Sequence, residues 1–323
     1  MAAFAVTAGR ALGATLLALS PGAWALDIAL TNDDGWDSLG IQTVKAALVA
    51  AGHRVTLAGP LDEQSGSSAA INTSGLRITK QRDDDGAIEF SVAVGDGTEG
   101  AEPATSALVA IDIARARAGG QLPDLLVSGT NAGANIGAFT QVSGTVGAAI
   151  VGLSSTFNGA VPAIAISTDP VCSAATPDCA QKNATHFAQV AEFLVGVIAH
   201  LERKPGFLAS ESGLLPAGVG LNINYPPLAA PAGVQVRQQG RTAAIGGGTV
   251  TLGIGCYGPC ATVPVGTTLN GGITGISPDS TPERRDADTT AYAQGYVTIV
   301  PIEPDYTADA PNRFKSVFQS LQF

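Results

Sequence analysis

The chain has 323 residues, of which 14% are charged and 45% are hydrophobic, and its formal net charge at pH 7 is −10. This length suits one large domain, or one domain with an extension. The acidic balance argues against a nucleic acid polymer or an anionic membrane surface as a partner, because both carry negative charge.

The first 25 residues have the composition of a signal peptide. Arg10 is the only charged residue before Asp27, and it precedes an apolar run over 11–19. A Pro-Gly break then leads to Ala-Trp-Ala at 23–25, which fits an A-x-A cleavage site. We predict cleavage after Ala25 and a periplasmic or secreted protein, with a leading helix or a poorly chosen start codon as the alternative. We expect no later segment to be long and apolar enough for a membrane helix.

Residues 26–226 alternate between strand and helix patterns. Over 26–58 a helix with apolar residues at 41, 44 and 48 separates two apolar strands, which is a βαβ unit and implies a parallel sheet. Further strands are predicted at 124–128, 162–167 and 219–224, further helices at 103–118 and 180–201, and a β-hairpin at 76–94. We therefore predict an α/β catalytic domain with a mostly parallel sheet.

Residues 227–323 follow a different pattern. Strand-like segments at 234–238, 249–253 and 295–301 are separated by turns rich in Gly and Pro, without alternating helices. We interpret this region as an extension rich in β-hairpins that serves subunit contacts and belongs to the same folding unit.

The four cysteines form two local pairs, Cys172 with Cys179 and Cys256 with Cys260. In an exported protein, such pairs predict disulfide bonds. A zinc site is the alternative, although the spacings are not two C-x-x-C pairs and the nearest histidine, His186, falls in a predicted helix.

The first strand ends in two adjacent carboxylates, Asp33 and Asp34, followed by Gly35. Adjacent like charges usually need a positive charge to compensate them, and a hard divalent cation is the obvious candidate. On local sequence alone, a solvated turn is an equally good interpretation. In open α/β sheets, however, ligands bind at the carboxyl ends of the strands.

Two further loops follow predicted strands, and they carry Ser65 and Asn131. If the strands are neighbours, both residues meet Asp33 and Asp34 at one edge of the sheet. All of these side chains offer oxygen ligands, which suit Mg²⁺, Mn²⁺ or Ca²⁺. We predict one divalent ion per subunit, with Mg²⁺ or Mn²⁺ favoured.

The segment Ser143-Gly144-Thr145 opens a predicted apolar helix. Exposed N–H groups at a helix start, beside small residues that allow close approach, suit a phosphate group. An ordinary N-cap with close helix packing is the alternative. A metal ion and a phosphate site in one cleft would indicate metal-assisted phosphoester hydrolysis.

In order and spacing, these motifs resemble the SurE survival-protein nucleotidases. The matching segments are Asn32-Asp33-Asp34-Gly35, Gly40-Ile41, Pro60 with Ser65-Gly66, and the stretches 128–135, 143–146, 221–226 and 288–301. The resemblance covers nearly the whole chain after residue 25. It implies a Rossmann-like, three-layer α/β/α domain with a β-rich extension used for dimerisation.

The resemblance also implies divalent-metal-dependent hydrolysis of nucleoside 5′- and 3′-monophosphates, and in some relatives of short polyphosphate. Carried over residue by residue, it gives the metal ligands as Asp33, Asp34, Ser65 and Asn131, of which Asp33 and Asp34 are also catalytic. It gives the phosphate-binding residues as Asn135, Ser143, Gly144 and Thr145. The partner is then a small nucleotide or phosphomonoester, and the protein a homodimer or homotetramer.

Two departures from the family pattern limit what carries over. Many relatives have His or Tyr before the Ser-Gly-Thr segment, where this chain has Val142, so no general acid is assigned. The Gly-Thr-Pro stretch of relatives is interrupted here by residues 99–102, so the preferred base is not assigned either.

Four other functions compete with this interpretation. A nucleotide- or metal-binding module without turnover, and an exported phosphatase or polyphosphatase of broad specificity, stay open. A dinucleotide oxidoreductase would need G-x-G-x-x-G after the first strand, and residues 31–40 lack it. A serine esterase would need G-x-S-x-G with a partnered histidine, and the three histidines fall outside the candidate loops.

Overall fold

The computed structural model describes residues 25–173, 175–203, 214–245, 248–258 and 260–305. Its centre is a run of six parallel strands. In spatial order these are β4 (Ala87–Val94), β2 (Arg54–Pro60), β1 (Asp27–Thr31), β6 (Leu125–Ala132), β7 (Ala163–Thr168) and β8 (Gly220–Tyr225). The predicted parallel sheet is therefore confirmed.

Further strands extend this sheet at both edges. At one edge, β3 (Arg77–Asp84) and β5 (Glu99–Gly100) pair antiparallel with β4, so the predicted hairpin is present. At the other edge, β13 (Val297–Ile302) pairs antiparallel with β8 and parallel with β9 (Val234–Val236). The chain after residue 226 thus contributes two strands to the main sheet.

Helices cover both faces of the sheet, which gives the three-layer α/β/α arrangement. One face packs against α1 (Leu39–Ala50) and α4 (Cys179–Arg203), and the other against α2 (Pro103–Arg117) and α3 (Gly144–Leu153). The strands alternate accordingly, because successive side chains point to opposite faces. In β1, Ile28 and Leu30 join the first core, whereas Ala29 joins the second.

The helix α4 corrects one expectation. In the part of the chain that the structure describes, it is long and apolar enough to cross a membrane by length and composition, although no such segment was predicted. Its Val190, Leu194 and Ile198 are nevertheless fully buried against the sheet. The helix is apolar because it belongs to the core of the protein.

The remaining strands form a separate antiparallel sheet. It consists of β10 (Ala243–Ile245), β11 (Gly248–Cys256) and β12 (Gly271–Pro278). A short helix, α5 (Asp288–Ala293), then leads back to β13 and was not predicted from the sequence. The domain boundary at 226 and the role of the extension in subunit contacts stay predictions.

The first cysteine pair forms a disulfide bond. Cys172 and Cys179 are joined with their Cα atoms 5.7 Å apart, so the zinc alternative is wrong for this pair. The second predicted pair includes Cys260, whose side chain lies outside the described part of the chain, and it stays a prediction. The predicted signal peptide also lies outside the described residues, except for Ala25.

Candidate functional site

The candidate site lies where the strand order of the sheet reverses. From β1 the chain crosses to β2 on one side, and later returns to β6 on the other side of β1. The carboxyl ends of β1 and β6 therefore diverge into a crevice, which is the usual ligand site of an open parallel sheet. Asp33 and Asp34 follow β1, and Asn131 lies near the end of β6.

Asp33 is buried and is held by the start of α3. The Thr145 hydroxyl donates a hydrogen bond to its Oδ1 at 2.7 Å, and the Thr145 backbone N–H donates one to Oδ2 at 3.2 Å. A Cβ atom on Gly144 would lie only 3.0 Å from Oδ2, so a small residue is needed there. Thr145, predicted to bind phosphate, thus contacts the Asp33 carboxylate directly, and Gly144 leaves room for that carboxylate.

Asp34 points toward β6, where it accepts a 3.1 Å hydrogen bond from the Ala132 N–H. Burial and the negative charge of Asp33 raise the pKa of Asp34 to about 7. Burial also raises the pKa of Asp33. Among the described residues, no Lys or Arg forms an ion pair with either carboxylate. The two acids therefore form an uncompensated pair.

The loop after β2 brings Ser65 to the same crevice. The Gln64 N–H donates to the Asp33 carbonyl at 2.8 Å, and the Ser68 hydroxyl donates to the Gln141 carbonyl at 2.9 Å. The loop is thus fastened to the end of β1 and to the segment before α3. Ser65, which is exposed, lines the resulting cavity.

Asn131 follows an irregularity in β6. The pairing register with β7 shifts between Ser128 and Asn131, and the Gly129–Thr130 peptide bond is cis. The Asn131 side-chain NH₂ donates to the Gly133 carbonyl at 2.7 Å. That bond leaves the amide oxygen as the atom available to a ligand. The sequence predicted a loop from residue 128, which is wrong because β6 continues through this irregularity to Ala132.

The other predicted phosphate residues also border the crevice. The Asn135 side chain donates to the Ser167 hydroxyl at 2.9 Å, and its backbone N–H donates to the Asn224 side chain at 2.7 Å. Ser143 is the N-cap of α3 and accepts a 3.0 Å hydrogen bond from the Val146 N–H. Both side chains are fixed by neighbours, so this part of the site is preorganised.

A cavity of about 1200 Å³ joins these parts. Its lining includes five of the eight predicted site residues, namely Asp33, Ser65, Asn131, Asn135 and Ser143. Val142 also lines it and is 52% exposed. Because a valine side chain has no exchangeable proton, it cannot act as a general acid.

The cavity lining also includes residues that no sequence pattern predicted as site residues, among them Asp169, Glu283 and Tyr292. Asp169 directly follows β7, so the rule that singled out Asp33 after β1 could have found it. Glu283 and Tyr292 lie in or next to the short helix α5, and no local pattern in the sequence points to them.

The donor chemistry of the crevice fits a hard divalent ion. It combines two carboxylates, one hydroxyl and one amide oxygen, and hard cations prefer such ligands. Within the described ranges, no group of three His, Cys, Asp or Glu residues could hold a metal ion. A metal in this crevice would therefore depend on the mixed set formed by Asp33, Asp34, Ser65 and Asn131.

The fold and site define a Rossmann-like α/β protein with an oxygen-rich crevice at its switch point. The family described as "Survival protein SurE" matches residues 28–245, and the chain belongs to this family. It is 30% identical over 289 residues to the 5'-nucleotidase SurE of Actinobacillus pleuropneumoniae serotype 5b, which covers 88% of this chain and 96% of that protein.

A shorter match links the chain to the 5'-nucleotidase SurE of Solidesulfovibrio magneticus. The two are 38% identical over 111 residues, and the match spans 34% of this chain and 39% of that protein. The crystal structure of the SurE protein from Aquifex aeolicus superimposes with a TM-score of 0.63 and 22% identity, over 90% of this chain and 98% of the other. That similarity shows the fold.

Proposed function

We propose that the protein is a divalent-metal-dependent phosphatase that releases phosphate from nucleoside 5′- and 3′-monophosphates. The observation that carries this proposal is the uncompensated pair at the switch point beside the start of α3, in which Asp33 is buried and Asp34 is partly buried. Relatives named 5'-nucleotidase SurE support it as well.

The roles of the side chains follow from their contacts. Asp33, Asp34, Ser65 and Asn131 would hold the ion, and Thr145 keeps the Asp33 carboxylate in one orientation. When bound, a divalent ion supplies charge to polarise a phosphate oxygen and to acidify a water molecule. Asn135 and Ser143 would orient the phosphate, because both are fixed at the cavity wall by their own hydrogen bonds.

Export and assembly are part of the same proposal. Cleavage after Ala25 would give a periplasmic or secreted protein, and the disulfide between Cys172 and Cys179 suits an oxidising compartment. N-terminal sequencing of the protein from the host's periplasm tests the cleavage site. Light scattering on the purified protein tests the proposed homodimer or homotetramer.

The activity is tested with a substrate panel. Phosphate release is measured from 5′-AMP, 3′-AMP and phenyl phosphate, each with Mg²⁺, with Mn²⁺ and with excess EDTA. We expect release from all three with metal, and a loss of at least about 100-fold with EDTA that added metal restores.

A variant pair locates the activity in the crevice. Asp33→Asn should lower kcat by about 100-fold or more, because it removes one charge of the proposed metal site. Asp85→Asn is the matched control, since Asp85 is exposed in the turn between β3 and β4. Undiminished turnover by Asp33→Asn would overturn the proposal.

A further inference from the structure

The cavity continues well beyond the candidate metal site, and its far end has a different chemistry. That end is walled by Pro170, Pro226, Pro227, Leu228, Tyr292 and Ala293. Apolar walls with a few polar groups are typical of sites that bind an organic part of a small molecule. A phosphate group alone would leave this end of the cavity unfilled.

Asp169 is the polar group of this region that lies next to the candidate metal site. Asn131 of β6 pairs with Ser167 of β7. Asp169 follows Ser167 by two residues, so it lies about 7 Å further along the strand direction. Its Oδ1 accepts a 2.9 Å hydrogen bond from the Ala134 N–H. The carboxylate is therefore anchored to the segment that follows β6, between Asn131 and Asn135.

Tyr292 fixes the other oxygen of this carboxylate. Its hydroxyl donates a 3.0 Å hydrogen bond to Asp169 Oδ2 and lies 3.3 Å from the carbonyl oxygen of Tyr225. Tyr292 belongs to α5, so two separate segments, the one after β6 and α5, hold the Asp169 carboxylate in one orientation. No Lys or Arg forms an ion pair with Asp169 among the ion pairs of the described residues.

With these contacts made, the Asp169 carboxylate at the cavity wall can still accept further hydrogen bonds. A carboxylate can accept about four hydrogen bonds, and Asp169 receives one strong bond at each oxygen. A neutral group with hydroxyl donors can satisfy the remaining lone pairs. A second phosphate group would instead meet the negative charges of Asp169 and of Glu283, which also lines the cavity.

We propose that Asp169, positioned by Tyr292, accepts hydrogen bonds from the sugar hydroxyls of a nucleoside monophosphate and selects against polyphosphate. This inference rests on the proposed phosphatase function and adds the determinant of its specificity. The apolar wall formed by Pro226, Pro227 and Leu228 would then face the base. The preference for hydroxyl groups over a second phosphate group follows from the charge and the hydrogen-bonding capacity of Asp169.

The experiment compares substrates that differ only in the proposed contact. We measure kcat/KM for 5′-AMP and for 2′,3′-dideoxy-AMP, which lacks both hydroxyls, with tripolyphosphate and phenyl phosphate as references. The wild-type protein should prefer 5′-AMP over the dideoxy compound by about tenfold or more, as expected for hydrogen bonds to a charged acceptor.

The variant Asp169→Asn tests the same contact from the protein side. Asparagine keeps an acceptor for the Ala134 N–H, but it places an NH₂ group where the second oxygen stood. The preference for 5′-AMP over the dideoxy compound should fall to near unity, and use of tripolyphosphate relative to 5′-AMP should rise. Asp85→Asn, at the opposite end of the sheet, should leave both ratios unchanged.

The outcomes separate this inference from the proposed function. If the wild-type protein hydrolyses none of the substrates, the phosphatase proposal fails. If it hydrolyses 5′-AMP and the dideoxy compound equally well, the phosphatase proposal stands and the role of Asp169 is overturned. The wild-type comparison remains decisive even if Asp169→Asn does not fold. Tyr292→Phe, which removes only a hydroxyl, should reduce the same preference in part.

Discussion

The Thr145 hydroxyl donates a 2.7 Å hydrogen bond to the carboxylate of Asp33, and both residues are buried. The backbone N–H of the same threonine binds the second carboxylate oxygen. The first turn of α3 thus sets the orientation of the acid that we assign to the metal. Groups that orient a metal ligand in this way strengthen metal binding, because the ligand is held in the geometry that the ion needs.

Replacing Thr145 with valine should weaken divalent-metal binding by about 10- to 100-fold, because Asp33 loses the donor that orients it. Thr145→Ser keeps the hydroxyl and should stay within a few-fold of the wild-type affinity. Calorimetric titration with Mn²⁺ and the Mn²⁺ dependence of phosphate release both measure the effect. Equal affinities of the valine and serine variants would contradict this role.

Gly147 controls the position of the Ser65 loop. A Cβ atom on Gly147 would lie 2.1 Å from the Ser68 carbonyl oxygen, which belongs to the backbone and cannot rotate away. Gly147→Ala should therefore push the loop off α3 and draw Ser65 away from the crevice. We expect a higher Mn²⁺ requirement for activity and a loss of about 1–3 kcal/mol in the free energy of unfolding.

The matched control for this substitution is Gly196→Ala. Gly196 also lies inside a helix, α4, and a Cβ atom there would meet no other atom within 4 Å. Alanine should stabilise that helix by about 0.5–1 kcal/mol without changing the Mn²⁺ requirement. Urea denaturation of the two variants measures both effects. A stable Gly147→Ala variant with the wild-type metal requirement would contradict the predicted clash.

The sequence predicted the centre of the fold because its signals are local. The helical spacing at 41, 44 and 48 and the apolar run before Asp33 each correspond to an observed element, α1 and β1. The rule that ligands bind at the carboxyl ends of strands then indicates the crevice. The rule also requires β1 and β6 to be neighbours, which the sequence leaves open and the structure shows.

The parts that could not be predicted depend on long-range packing. Tyr292 reaches Asp169 only because α5 and β13 return to the main sheet, and the pattern after residue 226 suggested hairpins alone. The glycines and asparagines after Ser128 predict a loop because they are typical of turns, yet β6 continues through this segment to Ala132. Pairing with β7 outweighs the local preference there.

The disulfide bond between Cys172 and Cys179 closes a short loop before the start of α4, with a sequence separation of 7. For such a loop the chain-entropy estimate gives a stabilisation of about 2 kcal/mol. Replacing both cysteines with serine should lower the melting temperature by a few degrees, in scanning calorimetry without reductant. Ser173→Ala, in the same loop, is the control. An unchanged melting temperature in the double variant would contradict the prediction.

Glu283 connects the start of the extension to α5. Its carboxylate accepts hydrogen bonds from the Arg241 N–H at 2.9 Å, the Thr242 hydroxyl at 2.6 Å and the Thr289 hydroxyl at 2.8 Å. Burial raises the pKa of Glu283, but these donors together outweigh burial and lower the pKa from 4.5 to about 2. The carboxylate of Glu283 thus binds a proton more weakly in the folded protein than in the unfolded chain.

The pH dependence of stability follows from that difference. Because the pKa is lower in the folded state, the contribution of Glu283 is fully present above pH 4.5 and is lost as the pH falls toward 2. Allowing for its partial exposure, we expect Glu283→Gln to cost about 1 kcal/mol at pH 7. The difference in the free energy of unfolding from the wild type, measured by urea denaturation at pH 7, 5, 4 and 3, should shrink steadily below pH 4.5.

The control is Glu192→Gln, because Glu192 is exposed in α4, and its free energy of unfolding should stay close to that of the wild type. A difference between Glu283→Gln and the wild type that stays constant down to pH 3 would rule out this linkage.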